Sequence, residues 1–333
     1  MAEEHPFAQY IRILGKGKQG ARALTQAEAY DAMKMILAQQ VQPIQLGAFL
    51  MLMRVKEETP EELAGFVLAT REFLKRPAHC PEVRLDWSTY AGKKRQLPWF
   101  LLSALLLADA GIPVLMHGSG GRKDGRVYTP EALAALGIKE CRSLEEAATR
   151  ITERGFAYIS LGNISPLLSE IMELRPLLGL RSPVHTLARM INPFGAPVML
   201  QGIFHPGYRN LHQETGLLLK QPHMAVLKGE GGEIERNPDA PCLVQSVHNG
   251  VLENEEWPAM FGGPRHLKDE TMDVSRLKAL WNGAGEDEYG TAAVIGTAAI
   301  ALKALGKAAS IDAAQELASR LWNKRAAGRL DAA

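Results

Sequence analysis

The spacing of apolar residues changes once along this chain, and that change limits the folds open to it. Up to Arg76-Pro77 the spacing is helical. Phe7, Tyr10, Ile11 and Leu14 recur at i, i+3, i+4 and i+7, the stretches TQAE (Thr25 to Glu28) and TPEE (Thr59 to Glu62) have capping-box form, and Pro43 opens a helix bearing Leu46, Phe49, Leu50 and Met53. Beyond Pro77, short apolar runs at 83–87, 112–116, 156–160, 222–227 and 241–247 read as strands. Helical patterns at 97–110, 130–136 and 143–154 separate the first three, and Ala-rich helices at 289–305 and 311–322 close the chain. Strands alternating with helices predict a mostly parallel sheet covered on both faces. The expected fold class is therefore α/β, with a small all-helical N-terminal domain (1–77, joined by helices from about 163–191) and a larger α/β domain (78–333) built on a mostly parallel central sheet. The segment 249–273, rich in Gly, Pro and acid, reads as an irregular insertion.

Composition excludes several classes. Apolar residues make up 46% and charged residues 23% of 333, which is ordinary for a globular chain and unlike disorder. No run of about 18 apolar residues occurs and the N-terminus MAEEHPF is acidic, so neither a membrane span nor a signal peptide is expected, and the cytoplasm is the expected compartment. Cys80, Cys141 and Cys242 form no Cys-x-x-Cys pair and no His-Glu-x-x-His occurs, which leaves no zinc or disulfide framework. The spacing Gly15-x-Gly17-x-x-Gly20 matches a dinucleotide fingerprint, but helical rather than strand spacing precedes it, and Gln39 and Gln40 stand where an acid should follow. It reads as a loose basic connector carrying Lys16, Lys18 and Arg22.

Net charge is only +1, yet the cations are clustered. Lys93, Lys94 and Arg95 follow the first expected strand; Arg122, Lys123 and Arg126 follow the second. Loops at the carboxyl ends of strands are where open α/β sheets meet ligands. Long cationic side chains there would track a phosphate backbone, and plain solvated loops are the bland alternative. Arg181, His185 and Arg189 form a third group, the last two on one helix face at i, i+4. Tyr90 would stack a base or, more commonly for an isolated tyrosine, pack half-buried.

Several ordered blocks carry a family likeness. The stretches QPIQLGAFLMLMRVKEETPEELAGF, AGIPVLMHG, EALAALGI, LRPLLGLRS and NPFGAP resemble, over nearly the whole chain, the superfamily of anthranilate phosphoribosyltransferase and pyrimidine nucleoside phosphorylase. The resemblance implies that fold, and places the family's Gly-Thr-Gly-Gly-Asp pyrophosphate loop at Ser88-Thr89-Tyr90-Ala91-Gly92. Its Lys-His-Gly-Asn-Arg motif falls on Met116-His117-Gly118-Ser119-Gly120, and its magnesium-holding Asp-Glu pair near Glu233 and Glu235, the weak metal candidates. Arg175 matches the anthranilate-side arginine. His117, Gly118, Ser119 and Arg175 are thus a remnant substrate pocket, with no catalytic residue assigned.

These departures, together with the stretches STYAGKKRQLPWFLL, HGSGGRKDGRVYTPE and FHPGY, look like the YbiB-like branch of the superfamily. That likeness implies a dimeric transferase fold binding nucleic acid with little sequence preference. The expectation is therefore a homodimer holding DNA, single-stranded by preference, or RNA through these three groups together with Lys16, Lys18 and Arg22 of the connector, without a cofactor. The alternative is a phosphoribosyltransferase with altered loops, using Glu233 and Glu235 for magnesium and Lys93 or Lys94 for pyrophosphate.

Overall fold

The computed structural model describes residues 3–121, 125–263 and 268–330. Four helices come first: α1 (Ala8–Gly15), α2 (Gln26–Leu37), α3 (Pro43–Lys56) and α4 (Pro60–Phe73). Both expected capping boxes form, Thr25 with Glu28 and Thr59 with Glu62. Glu62 does more than cap. Its fully buried carboxylate also accepts the Leu24 N–H (2.8 Å) and pairs with Lys56 (2.5 Å), so one acid ties three segments of the bundle together. Helices α2 and α4 lie so close that a Cβ on Gly65 would stand 2.4 Å from the Gln26 carbonyl oxygen, a distance only glycine permits. Phe49, Leu50 and Met53 are buried here and serve as core; the opposite face of α3 exposes Ile44, Ala48 and Val55.

The remainder alternates. In chain order it runs β1 (Leu85–Thr89), α5 (Phe100–Asp109), β2 (Val114–Gly118), α6 (Thr129–Ala135), α7 (Leu144–Arg154), β3 (Phe156–Ser160), then the short helices α8 (Leu161–Ile164), α9 (Pro166–Glu173), α10 (Arg175–Leu178) and α11 (Val184–Leu187). It continues β4 (Val198–Ile203), α12 (Tyr208–Leu218), β5 (His223–Lys228), β6 (Cys242–His248), β7 (Val251–Trp257), α13 (Ser275–Asn282), α14 (Glu288–Ala304) and α15 (Ile311–Lys324). The seven strands form one sheet in the order β3-β2-β1-β4-β5-β6-β7; the first five are parallel and the last two join antiparallel.

Side chains alternate across this sheet as the strand period requires. Leu85, Trp87, Val114 and Met116 face the core made with α5, α14 and α15, while Leu115, Ala157, Met199 and Val226 face the core continuous with the helical bundle. Two strands lie outside the sequence expectation. All six residues of β4 are buried, so VMLQGI lacks the polar alternation that marks a half-buried strand. The other, β7, corrects the reading of 249–273 as irregular throughout. Asn249 and Gly250 both take positive φ (48° and 81°), the two-residue hairpin turn that this dipeptide favours, and it returns an acidic strand onto β6. Among the described residues no helix is long and apolar enough to cross a membrane.

Candidate functional site

The carboxyl ends of β1, β2, β4 and β5 converge on the loop Tyr90–Pro98, which leaves β1 and leads into α5. Two pairs of its backbone N–H groups point at anionic oxygens. Ala91 and Gly92 donate to Glu233 Oε1 at 2.5 and 2.7 Å; Lys94 and Arg95 donate to Glu230 Oε1 at 2.9 and 2.8 Å. Both acids sit on the turn after β5, which approaches closely because it is glycine-rich. Gly231 and Gly232 take φ of +69° and +99°, and a Cβ on Gly231 would stand 2.6 Å from the Gly92 carbonyl oxygen. Consecutive backbone N–H groups aimed at one anion form the concave nest typical of phosphate sites. The nest survives despite Tyr90 and Ala91, since their side chains leave the backbone free to converge.

Lys93 does not join a solvated cationic track. It is 1% exposed, and its ammonium lies 2.5 Å from Glu235 and 3.0 Å from Glu230. Burial alone would depress that ammonium, but the two carboxylates outweigh it and hold the group above the usual lysine range. Glu230 moves the other way. Burial opposes its ionisation, yet Lys93 and the two N–H groups keep its carboxyl below the usual range. Glu235 also accepts the Phe100 N–H at the start of α5 (2.8 Å). An ammonium therefore stands where a cation between these acids would go. Among the described residues no three acidic, histidine or cysteine side chains come together, so Glu233 and Glu235 offer magnesium at most the one or two carboxylates that it takes beside substrate phosphates.

The other expected site residues divide. Arg126 turns inward, its Nη1 donating to the Ala91 and Gly92 carbonyls at 3.0 and 2.9 Å, and so clamps the nest from its far side. Arg122 and Lys123 lie outside the described residues. Arg22 is bound by Glu28 through two hydrogen bonds (2.7 and 2.6 Å), whereas Lys16, Lys18, Lys94 and Arg95 are exposed and their side chains have no acidic partner among the described residues. His117 is fully buried on β2, bonded to Tyr90 (2.9 Å) and Asp86 (3.2 Å). Tyr90, whose ring also lies 5.6 Å from the Arg189 guanidinium, is thereby a packed and hydrogen-bonded side chain rather than a free platform for a base. A Cβ on Gly118 would overlap the Thr89 carbonyl, so that glycine is required by packing; Ser119 donates its N–H to the same oxygen at 3.2 Å.

Arg175 opens α10 and Arg181 follows it; neither has an ion pair among the described residues. His185 and Arg189 lie on consecutive turns after them. Burial, then Arg181, pushes the His185 imidazole down to about 4, which leaves it neutral at pH 7, and its Nδ1 lies 3.1 Å from the Ser182 carbonyl oxygen. Arg189 donates Nη1 to the His185 carbonyl (2.6 Å). Sequence reading did not anticipate Glu230, Asp86 or Arg54. Glu230 is signalled only by lying in the same glycine-rich GEGGEIE stretch as the metal candidates.

Comparison with known proteins fits this geometry. The family described as "Glycosyl transferase family, helical bundle domain" matches residues 8–74. An anthranilate phosphoribosyltransferase of Burkholderia cenocepacia is 30% identical over 303 residues, 87% of this chain and 86% of its own length. An uncharacterized protein of Aquifex aeolicus is 30% identical over 316 residues, 93% and 95% of the two chains. Among solved structures, the anthranilate phosphoribosyltransferase of Thermus thermophilus superposes with a TM-score of 0.78 at 24% identity, over 98% of this chain and all of that one. The Saccharomyces cerevisiae enzyme in complex with PRPP and Mg gives 0.79 at 14% identity, over 98% and 95%.

Proposed function

Since the chain belongs to the family of the anthranilate phosphoribosyltransferases, we propose that it is a pentosyl-transferring protein whose pyrophosphate nest is held shut at rest by its own acids. One observation carries this reading: four N–H groups of the β1 loop meet two carboxylate oxygens in pairs. A pyrophosphate group offers the same anionic oxygens and would take the same donors once Glu233 and Glu230 move aside. Lys93, freed from those acids, would then neutralise the leaving group. In the transfer, the bond from ribosyl C1 to the pyrophosphate oxygen breaks with its electron pair on the pyrophosphate, and the acceptor nucleophile bonds to C1 and gives up its proton. Glu233→Ala frees two donors, so titration with inorganic pyrophosphate is expected to give roughly tenfold or tighter binding than the parent chain, the scale of hydrogen bonds to a charged group. Pyrophosphate release from phosphoribosyl pyrophosphate should appear with it. No pyrophosphate binding by either protein would refute the reading.

A second reading rests on a different observation, the exposed cations Lys16, Lys18, Lys94, Arg95 and Arg181 that lack acidic partners among the described residues. Five such contacts to a nucleic-acid backbone would give a slope of roughly −4 in log K against log salt. Fluorescence anisotropy of a labelled single-stranded oligonucleotide at several salt concentrations measures it, and a flat response removes this reading. A homodimer is proposed with either, through the exposed apolar face of α3, where Ile44 and Val55 are each 82% exposed. Light scattering on Val55→Glu tests it, and a parent chain that is monomeric throughout would discard it.

A further inference from the structure

We propose that His223 and His248, which face each other across β5 and β6 at the end of β5 opposite the nest, form a two-histidine site for a divalent transition-metal ion, Cu²⁺ in preference to Zn²⁺. The two residues are directly opposed in the antiparallel register. Next to them the Asn249 N–H donates to the Pro222 carbonyl at 2.8 Å, so His223 and His248 are a non-hydrogen-bonded pair, the kind whose side chains stand closest. Their Nδ1 atoms lie 3.1 Å apart and their ring centroids 4.6 Å apart. The rings thus turn these nitrogens towards each other and splay apart beyond them. Two imidazole nitrogens about 2.0–2.1 Å from one metal ion, at the roughly 90–110° of square-planar or tetrahedral coordination, are themselves about 2.8–3.4 Å apart. The observed separation falls within that window.

The backbone fixes both residues. The His223 N–H donates to the Pro197 carbonyl (3.1 Å), and its own carbonyl accepts from the Gln221 side chain (3.3 Å). His248 ends β6 just before the Asn249-Gly250 turn, and its Nε2 lies 3.3 Å from the Asn249 side-chain amide. With its oxygen facing that nitrogen, the amide accepts the Nε2–H that remains when Nδ1 binds the metal, the outer support that orients a metal-bound imidazole. Burial, then His248, lowers His223 below the usual histidine range, so its ring is neutral at pH 7 and keeps the lone pair a metal needs. His223 is half-buried and His248 exposed, and neither has an acidic partner among the described residues. An ion therefore reaches them from solvent, and water completes its coordination. Two neutral nitrogens without a carboxylate suit Cu²⁺ best, since it binds nitrogen sites more tightly than the other divalent first-row ions. The site shares no residue with the nest, which lies past the other end of β5, roughly 17 Å of strand away.

Titration of the full chain, free of any affinity tag, with Cu²⁺ at pH 7 and electron paramagnetic resonance tests the assignment. One equivalent should bind with splitting from two imidazole nitrogens. His223→Gln and His248→Gln should each weaken binding roughly a hundredfold, no less than the loss of an outer partner costs, and should abolish the two-nitrogen signal. One equivalent of Cu²⁺ should also raise the melting temperature of the parent chain but of neither variant, because an ion bridging β5 and β6 binds only the folded state. Zn²⁺ should displace Cu²⁺ only in excess. The proposal is overturned if the parent chain takes up no Cu²⁺ at micromolar concentration, or if either variant keeps the parent's affinity and two-nitrogen signal, since the ion would then sit on other histidines. Displacement of Cu²⁺ by a single equivalent of Zn²⁺ would overturn the stated preference.

Discussion

Two anion-seeking regions lie on either side of one glycine-rich turn, and they are complete to different degrees. In the nest, the four backbone donors and the buried ammonium all have counter-charges: the N–H groups meet Glu230 and Glu233, and Lys93 meets Glu230 and Glu235. In the cavity between α3, α12 and the segment after α10, Arg54, Arg181 and Arg189 stand with less: Glu233 acts on Arg189, while Arg181 has no ion pair among the described residues. The nest is therefore a contributor to folding, whereas the charges of the cavity are balanced only in part. A buried pair that loses one member is costly, whereas repelling charges at a surface cost little to remove.

The largest expected break in this contrast is Lys93→Met. It strands two acids in the interior, and denaturant unfolding should report a loss of about 3–5 kcal/mol at pH 7. In the parent chain the raised Lys93 contributes fully below its unfolded value of 10.5, and that share is lost as pH climbs through the higher folded value. A parent chain equally stable at pH 7 and above pH 11 would contradict the ion pair. Next comes acid. His185 is depressed to about 4 and His212, by burial and then Arg189, to about 3. Each contributes stability above the unfolded value of 6.5 that drains away as pH falls towards the folded one. For His185 alone the loss is about 3 kcal/mol, and His185→Gln should flatten the curve between pH 6.5 and 4.

Smaller effects sharpen the comparison. Glu233→Gln keeps an acceptor but removes its charge, so about 1–2 kcal/mol of stability should go, read as a shift in the denaturant midpoint with the slope unchanged. Arg181→Gln should move stability by no more than about 0.5 kcal/mol in either direction. A large loss there would mean that the cavity is as internally satisfied as the nest.

Much of this architecture was legible in the sequence because it is local. TQAE, TPEE and Pro43 fix helix starts through side chains three residues apart, and the strand and helix alternation sets a parallel sheet. β4 was hidden because burial on both faces erases the period, and β7 because its exposed acids mask the Asn249-Gly250 turn that creates it. The site was only half legible for a related reason. Lys93, Lys94 and Arg95 are adjacent and chemically alike on paper, but β1 ends so that the first points into the protein and the other two out, and the acids deciding this lie about 140 positions away. Arg54 shares the cavity with Arg181 only because the bundle folds back on the sheet, a contact no spacing along the chain displays.

The acidic hairpin strand has a consequence for the molecule as a neighbour of others. As the last strand in the order, β7 leaves its outer row of backbone donors and acceptors unpaired with any further strand, and an open rim of this kind invites a strand from another copy. Glu253, Glu255 and Glu256 crowd that rim. Two such rims meeting side by side would bring like charges together, although Lys303 offsets Glu255, and this disfavours strand pairing between copies along that edge.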